Sequence, residues 1–174
     1  IRMDVPEPDE DQPTFEGNAR LKARFYAQAA GMACIADDSG LEVDALGGEP
    51  GVRSARYAGV SGERKAIVRA NNDLLLRNLA AAHGERTARF VCVMVWVDRD
   101  GNELALVRGE VIGRIEHEPR GDNGFGYDPL FYLPELDRTV AQLSPAEKNA
   151  VSHRGCAARL MLAEVQRLRG KASQ

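Results

Sequence analysis

The 174 residues contain no apolar run near the length that spans a bilayer, and no segment reads as a signal peptide, so a membrane-spanning protein is set aside. Cysteine is scarce: Cys34, Cys92 and Cys156 are odd in number and lack metal-ligand spacing. That excludes a disulfide scaffold or a cysteine-zinc site and points to reduced thiols in a cytoplasmic protein. The formal net charge is only −3, which offers no bulk attraction to nucleic acid or a membrane surface. An anionic ligand would therefore need local positive charge or a metal. No Walker loop, G-x-G-x-x-G fingerprint, Ser-His-Asp or Cys-His arrangement is present, and His83 and His117 read as surface residues. There are no internal repeats and no low-complexity linkers. What remains, at 44% hydrophobic and 28% charged, is the composition of one globular domain with a real core.

The chain begins at Ile1 rather than methionine, so a natural segment is expected to precede it. Asp4 to Pro13 has three prolines and no periodicity and reads as a loop. From Thr14, a fitting N-cap, the residues Phe15, Ala19, Ala23, Tyr26, Ala27 and Ala30 recur at helical spacing until Gly31, with Arg20, Lys22 and Arg24 mainly between them. "MACIA" (Met32 to Ala36) reads as a short buried strand that ends at the pair Asp37-Asp38. "LGGEPGVRSARYAG" (Leu46 to Gly59) holds four glycines and a proline and reads as a loop. A second helix is expected over Glu63 to His83, stopped by Gly84, with Ile67, Val68, Leu74, Leu75, Leu79 and Ala82 on its apolar side. Two long strands follow around an Asp-Arg-Asp-Gly-Asn turn. The first is apolar on both faces, as a central strand is. Ser144-Pro145-Ala146-Glu147 is a capping box that opens the last helix, whose apolar residues are Leu160, Met161, Leu162, Val165 and Leu168. The order predicts an α/β fold: a mixed β-sheet with flanking helices.

Four stretches carry candidate chemistry. Asp37 and Asp38 suit a turn, but two adjacent carboxylates at a strand end are better explained by an added cation such as Mg²⁺, which takes hard oxygen ligands. Neighbouring strand side chains point to opposite faces, so one of the two would meet the metal. "PRGDNGFGYDPLF" (Pro119 to Phe131) is rich in glycine and aromatic at once. It fits a pocket in which the backbone approaches a flat ring and an aromatic face stacks on it. "SPAEKNAVSHRG" offers Lys148, His153 and Arg154 as anion donors. Lys148 and His153 would lie roughly 140° apart on one continuous helix. They can share a ligand only if the helix breaks, and Ser152 before Gly155 marks the place. In the acidic loop, Glu10 is the first choice for a second metal ligand, with Glu16 and Glu42 behind it; some acidic charge there also suits the helix N-terminus.

In this order, "TFEGNARLKA", "IADDSGLEVDALGGEPGVRSARYAG", "GDNGFGYDPLF" and "AQLSPAEKNAVSHRG" resemble the inosine/xanthosine triphosphate pyrophosphatases, from about Glu10 to Leu162. The resemblance implies hydrolysis of non-standard purine nucleoside triphosphates (ITP, dITP, XTP) to monophosphate and pyrophosphate, with Mg²⁺. It implies two lobes around a central nucleotide-binding cleft, and a homodimer. It also assigns roles. Asp38 would be proton acceptor and metal ligand, with Glu10 beside the metal. Ser39 would touch substrate. Phe125, Gly126, Tyr127 and Asp128 would form the base pocket, and Lys148, His153 and Arg154 would contact the nucleotide. Residues 1–174 would be a single such domain, without the family's opening strand and Thr/Ser-Gly-Asn-x-x-Lys phosphate loop. Gly17 is a further departure, since glutamate is usual there. The rival expectations are a related pyrophosphatase for modified pyrimidine or standard triphosphates, and a nucleotide-binding protein without catalysis.

Overall fold

Thr14 opens the first helix as expected: its hydroxyl accepts from the amide of Gly17, and α1 runs over Phe15–Ala30 until Gly31 turns left-handed. A computed structural model describes residues 5–82 and 84–172. His83, the last residue of the expected second helix and a predicted surface residue, lies outside them. The remaining elements are β1 (Cys34–Val43), β2 (Pro50–Gly51), α2 (Arg64–Ala81), β3 (Thr87–Val97), β4 (Glu103–Ile115), β5 (Phe131–Leu133), β6 (Arg138–Thr139), α3 (Pro145–Val151) and α4 (His153–Ala172). The strand order is β2-β1-β3-β4-β5-β6. β1 with β2, β4 with β5, and β5 with β6 pair antiparallel. The α/β expectation holds. Among the described residues no helix is long and apolar enough to cross a membrane.

The chain divides into two compact units, and β1, β3 and β4 each contribute to both. The first comprises residues 1–39, 92–109 and 153–174. Its buried residues include Phe15, Ala19, Ala23 and Ala27 on α1, Val93, Val95 and Val97 on β3, and Ala157 and Met161 on α4. Leu160 and Leu162 of α4 are exposed instead, because Ala157 and Met161, one turn apart, take the inward positions. Gly109 on β4 is where the strand meets α4. A Cβ there would lie 2.4 Å from the amide nitrogen of Ala157 and 2.5 Å from the carbonyl oxygen of His153. Only glycine lets backbone rest on backbone at that point.

The second unit comprises residues 40–91 and 110–152. Its core gathers Leu41 and Val43 from β1, Leu75 and Leu79 from α2, and Phe90 stacked on Phe131 with ring centroids 4.3 Å apart. Leu46–Gly59, read as a loop, contains short helical turns and β2, and is laced to α2. The Asn71 amide donates to the carbonyls of Ser54 and Ala55 and accepts from the amide of Ala58.

One sequence expectation fails. The strand read as Met32 to Ala36 is longer, and its Asp-Asp pair lies inside β1 rather than at its end. It is also less buried, since Met32 and Ile35 are both 47% exposed. The turn chemistry of Asp-Asp-Ser-Gly is overridden by strand pairing, a long-range term that local propensity does not contain. The single last helix is broken at Ser152, which is extended (φ −74°, ψ 149°) between α3 and α4, where the break was expected.

Candidate active site

On α1 the positions Phe15, Asn18, Ala19, Lys22 and Ala23 form one stripe, so Asn18 and Lys22 are carried inward with the apolar residues. Both reach Asp38, which is 7% exposed. The Asn18 amide donates to Asp38 Oδ2 at 3.1 Å, and the Lys22 ammonium donates to Oδ1 at 3.0 Å. Lys22 also donates to Glu10 Oε1 at 2.8 Å, bridging the two carboxylates chosen as metal ligands. Asn18 Oδ1 accepts from the amide of Gln12, which fastens the acidic loop to the same helix. Burial pushes the Asp38 carboxyl above the ordinary carboxylate range, against the pull of Lys22 and Asn18. For Lys22 burial acts downward, but the bonds to Glu10 and Asp38 outweigh it and hold the ammonium above its usual value.

Asp37 has different partners, as opposite strand faces require. Its Oδ2 accepts from the Ser39 hydroxyl at 2.9 Å, from Arg154 Nε at 3.2 Å and from the Cys92 thiol at 3.8 Å. Burial pushes the Cys92 thiol up to about 11, so it is an unreactive donor here. The sequence reading left the charge of the aspartate pair to an added cation; the protein itself supplies Lys22 and Arg154. Of the lesser candidates, Glu16 is paired with Arg108 at 3.3 Å, and Glu42 lies opposite Pro50 on β2.

In the second unit, Asp128 is 3% exposed and organises the glycine-rich loop. Its Oδ2 accepts from the Phe125 amide at 2.7 Å and from the Lys148 ammonium. Lys148 also sits over the Phe125 ring, 4.5 Å from its centroid. Gly124 has φ +80°, and a Cβ there would lie 2.0 Å from Asp128 Oδ2, so glycine is obligatory. Tyr127 is buried, donates to the Ser54 carbonyl at 2.9 Å, and has its phenol pushed up by that burial. The Gly126 carbonyl accepts from the Asn72 amide. Of the loop aromatics, Tyr127 and Phe131 are buried, while Phe125 is 53% exposed.

The structure therefore joins Asp38 to Glu10, Ser39 to Arg154 through Asp37, and Lys148 to Asp128 and Phe125. His153 starts α4 beside Arg154, and His117 is exposed as expected. Sequence reasoning missed Asn18, Lys22 and Asn72. The first two were detectable, because they fall on the buried stripe of α1. Among the described residues no group of three or more His, Cys, Asp and Glu side chains could hold a metal. The two carboxylates that share the Lys22 ammonium are hard oxygen donors, a set that suits an ion taking its other oxygens from water and phosphate.

The fold and these groups describe an α/β protein with a buried, cation-bridged carboxylate on a strand and a glycine-aromatic loop latched to a lysine. The model of the Ham1 family matches residues 2–164, and the chain belongs to this family. Curated relatives agree. The dITP/XTP pyrophosphatase of Thioalkalivibrio sulfidiphilus (strain HL-EbGR7) is 50% identical over 93% of this chain and 82% of its own length. That of Mycobacterium tuberculosis (strain CDC 1551 / Oshkosh) is 52% identical over 94% of this chain and 78% of its own. Among solved structures, a HAM1 protein from Coxiella burnetii superposes with a TM-score of 0.87 at 41% identity, covering 94% of this chain and 82% of that one. The resemblance read from the four motifs is borne out.

Proposed function

We propose that this chain hydrolyses non-standard purine nucleoside triphosphates, ITP, dITP and XTP, to the monophosphate and pyrophosphate, clearing them from the nucleotide pool. The observation that carries the reading is Asp38, buried yet held by Lys22 and Asn18 beside Glu10. Kinship with proteins named dITP/XTP pyrophosphatases supplies the substrate class.

Asp38 orients a water and accepts its proton as the water oxygen attacks the α-phosphorus. The bond between that phosphorus and the bridging oxygen breaks, and pyrophosphate leaves with the electron pair. A carboxyl raised by burial suits this task, because its basicity lies nearer neutrality. Lys22 steadies the Asp38 carboxylate and adds positive charge where phosphate charge accumulates. Ser39, His153 and Arg154 contact the nucleotide, and Asp37 orients Ser39 and Arg154. Phe125 stacks on the base, with Gly126, Tyr127, Asp128 and Lys148 completing its pocket. Asp38 and Glu10 would hold Mg²⁺, which when bound would supply Lewis-acid polarisation of the phosphates. The protein works in the cytoplasm as a homodimer, without nucleic-acid or membrane partners.

The test is pyrophosphate release by the purified chain with Mg²⁺ from ITP, dITP, XTP, GTP, ATP, dUTP and dTTP. We expect kcat/KM for the first three to exceed that for the others by about 10²-fold, the discrimination a polar pocket edge can supply. Preference for dUTP or dTTP would overturn the substrate class. Tight ITP binding without pyrophosphate release would overturn the enzyme.

A further inference from the structure

Within the second unit, α2 and the glycine-rich loop enclose a groove of about 970 Å³, lined in part by Arg64, Val68, Asn72, Phe125 and Gly126. Asn72 is half-buried on α2, and the two ends of its amide are in different situations. Nδ2 donates to the Gly126 carbonyl at 3.2 Å. Oδ1 is buried and, among the described residues, is the one buried side-chain nitrogen or oxygen without a hydrogen-bond partner. Turning the amide over would set two acceptor oxygens against each other, so Gly126 dictates the orientation.

A buried acceptor without a partner costs stability, and a leucine here would avoid that cost. The amide is therefore retained for its donor, and the donor holds only Gly126. What that does for the loop follows from Phe125. Its ring is 53% exposed, so core packing does not fix its direction; that is left to the backbone and to the Lys148 ammonium, 4.5 Å from the ring centroid. The Phe125 amide donates to Asp128 Oδ2, and its carbonyl accepts from the Asp128 amide at 3.2 Å; both restraints come from within the loop. The next residue, Gly126, is left-handed at φ +60°, and Asn72 is the anchor that reaches it from α2.

We propose that Asn72 is a positioning residue for base recognition: by tying the Gly126 carbonyl to α2 it sets the direction in which Phe125 presents its ring to the purine. This rests on the reading above that Phe125 receives the base.

The experiment compares the wild-type chain with Asn72→Leu and Asn72→Asp. The first removes the donor and the unpartnered oxygen together. The second keeps the shape and replaces the donor with an acceptor facing a carbonyl. KM for ITP should rise about tenfold in both while kcat stays within about twofold, the pattern of lost ground-state binding. The inhibition constant of inorganic tripolyphosphate, which has no base, should not change, and the melting midpoint of Asn72→Leu should not fall. A merely structural role would lower the midpoint and weaken tripolyphosphate and ITP alike. That result, or an unchanged KM in the isosteric Asn72→Asp, overturns the proposal. If the wild-type chain releases no pyrophosphate, the functional reading fails on its own. The tether is then judged by the same comparison of ITP and tripolyphosphate dissociation constants from calorimetry.

Discussion

Each unit holds a buried aspartate bonded to a lysine, and the two pairs are put to different use. Asp38 stands on a strand with both oxygens claimed by side chains of α1, and its lysine is shared with a second carboxylate, Glu10. Asp128 stands at the end of a loop. A single oxygen takes both Lys148 and the backbone amide of Phe125, so the pair closes the loop on itself. A buried ion pair is weak evidence of stabilisation in itself, because desolvation consumes much of the attraction. What distinguishes the two is the third group. Asp38 shares its lysine with a competing carboxylate, whereas a backbone amide makes Asp128 a latch.

The contrast is broken most severely at Asp38. Asp38→Asn removes the proton acceptor but keeps the shape and relieves the buried charge. We expect kcat to fall by at least about 10³-fold with an unchanged melting midpoint, checked by pyrophosphate release and circular dichroism. Activity within tenfold of wild type would make the two aspartates alike after all. Asp128→Ala should do the converse. Leaving Lys148 half-buried without its anion and the Phe125 amide unpaired should cost about 3 kcal/mol of stability, read from the urea midpoint. ITP turnover at saturation should change far less than in the Asp38 variant.

A finer test uses pH. Burial pushes the Asp38 carboxyl up while Lys22 pulls it down, so Lys22→Met should move the acid limb of kcat/KM to higher pH. The stability signs are fixed by the same directions. The folded chain holds the Asp38 proton more tightly than the unfolded chain. That contribution is present at low pH and is lost as pH rises through the folded value. The raised Lys22 value contributes below its ordinary titration and is lost as pH climbs past the folded value, a loss that Lys22→Met abolishes. An acid limb that did not move would show that Lys22 does not sense Asp38.

What could be read from the residues was what local rules govern. Thr14 and Gly31 bound α1, the turn at Asp98 to Asn102 joins β3 and β4, and Ser152 breaks the last helix. The site needed longer reach. Asp37 and Asp38 looked like a strand end because their turn propensity is local, while β1 lies in the sheet beside β3, more than forty residues further along the chain. Lys22 was read with Arg20 and Arg24 as falling mainly between the apolar positions, although its spacing from Phe15 and Asn18 already placed it on the inward stripe. The bond from Lys148 to Asp128 spans twenty residues, and that from Asn72 to Gly126 spans fifty-four. No periodicity encodes either.

Gly109 gives the first unit a property of its own. Because β4 offers a bare Cα to the opening turn of α4, the helix comes to rest where peptide groups touch, and Arg154 begins its reach towards Asp37 from that stop. A single methyl added at this seat would have to be absorbed by sliding the whole rod. The guanidinium would slide with it, so a hydrogen atom on the sheet acts as the gauge block for a charge it never meets.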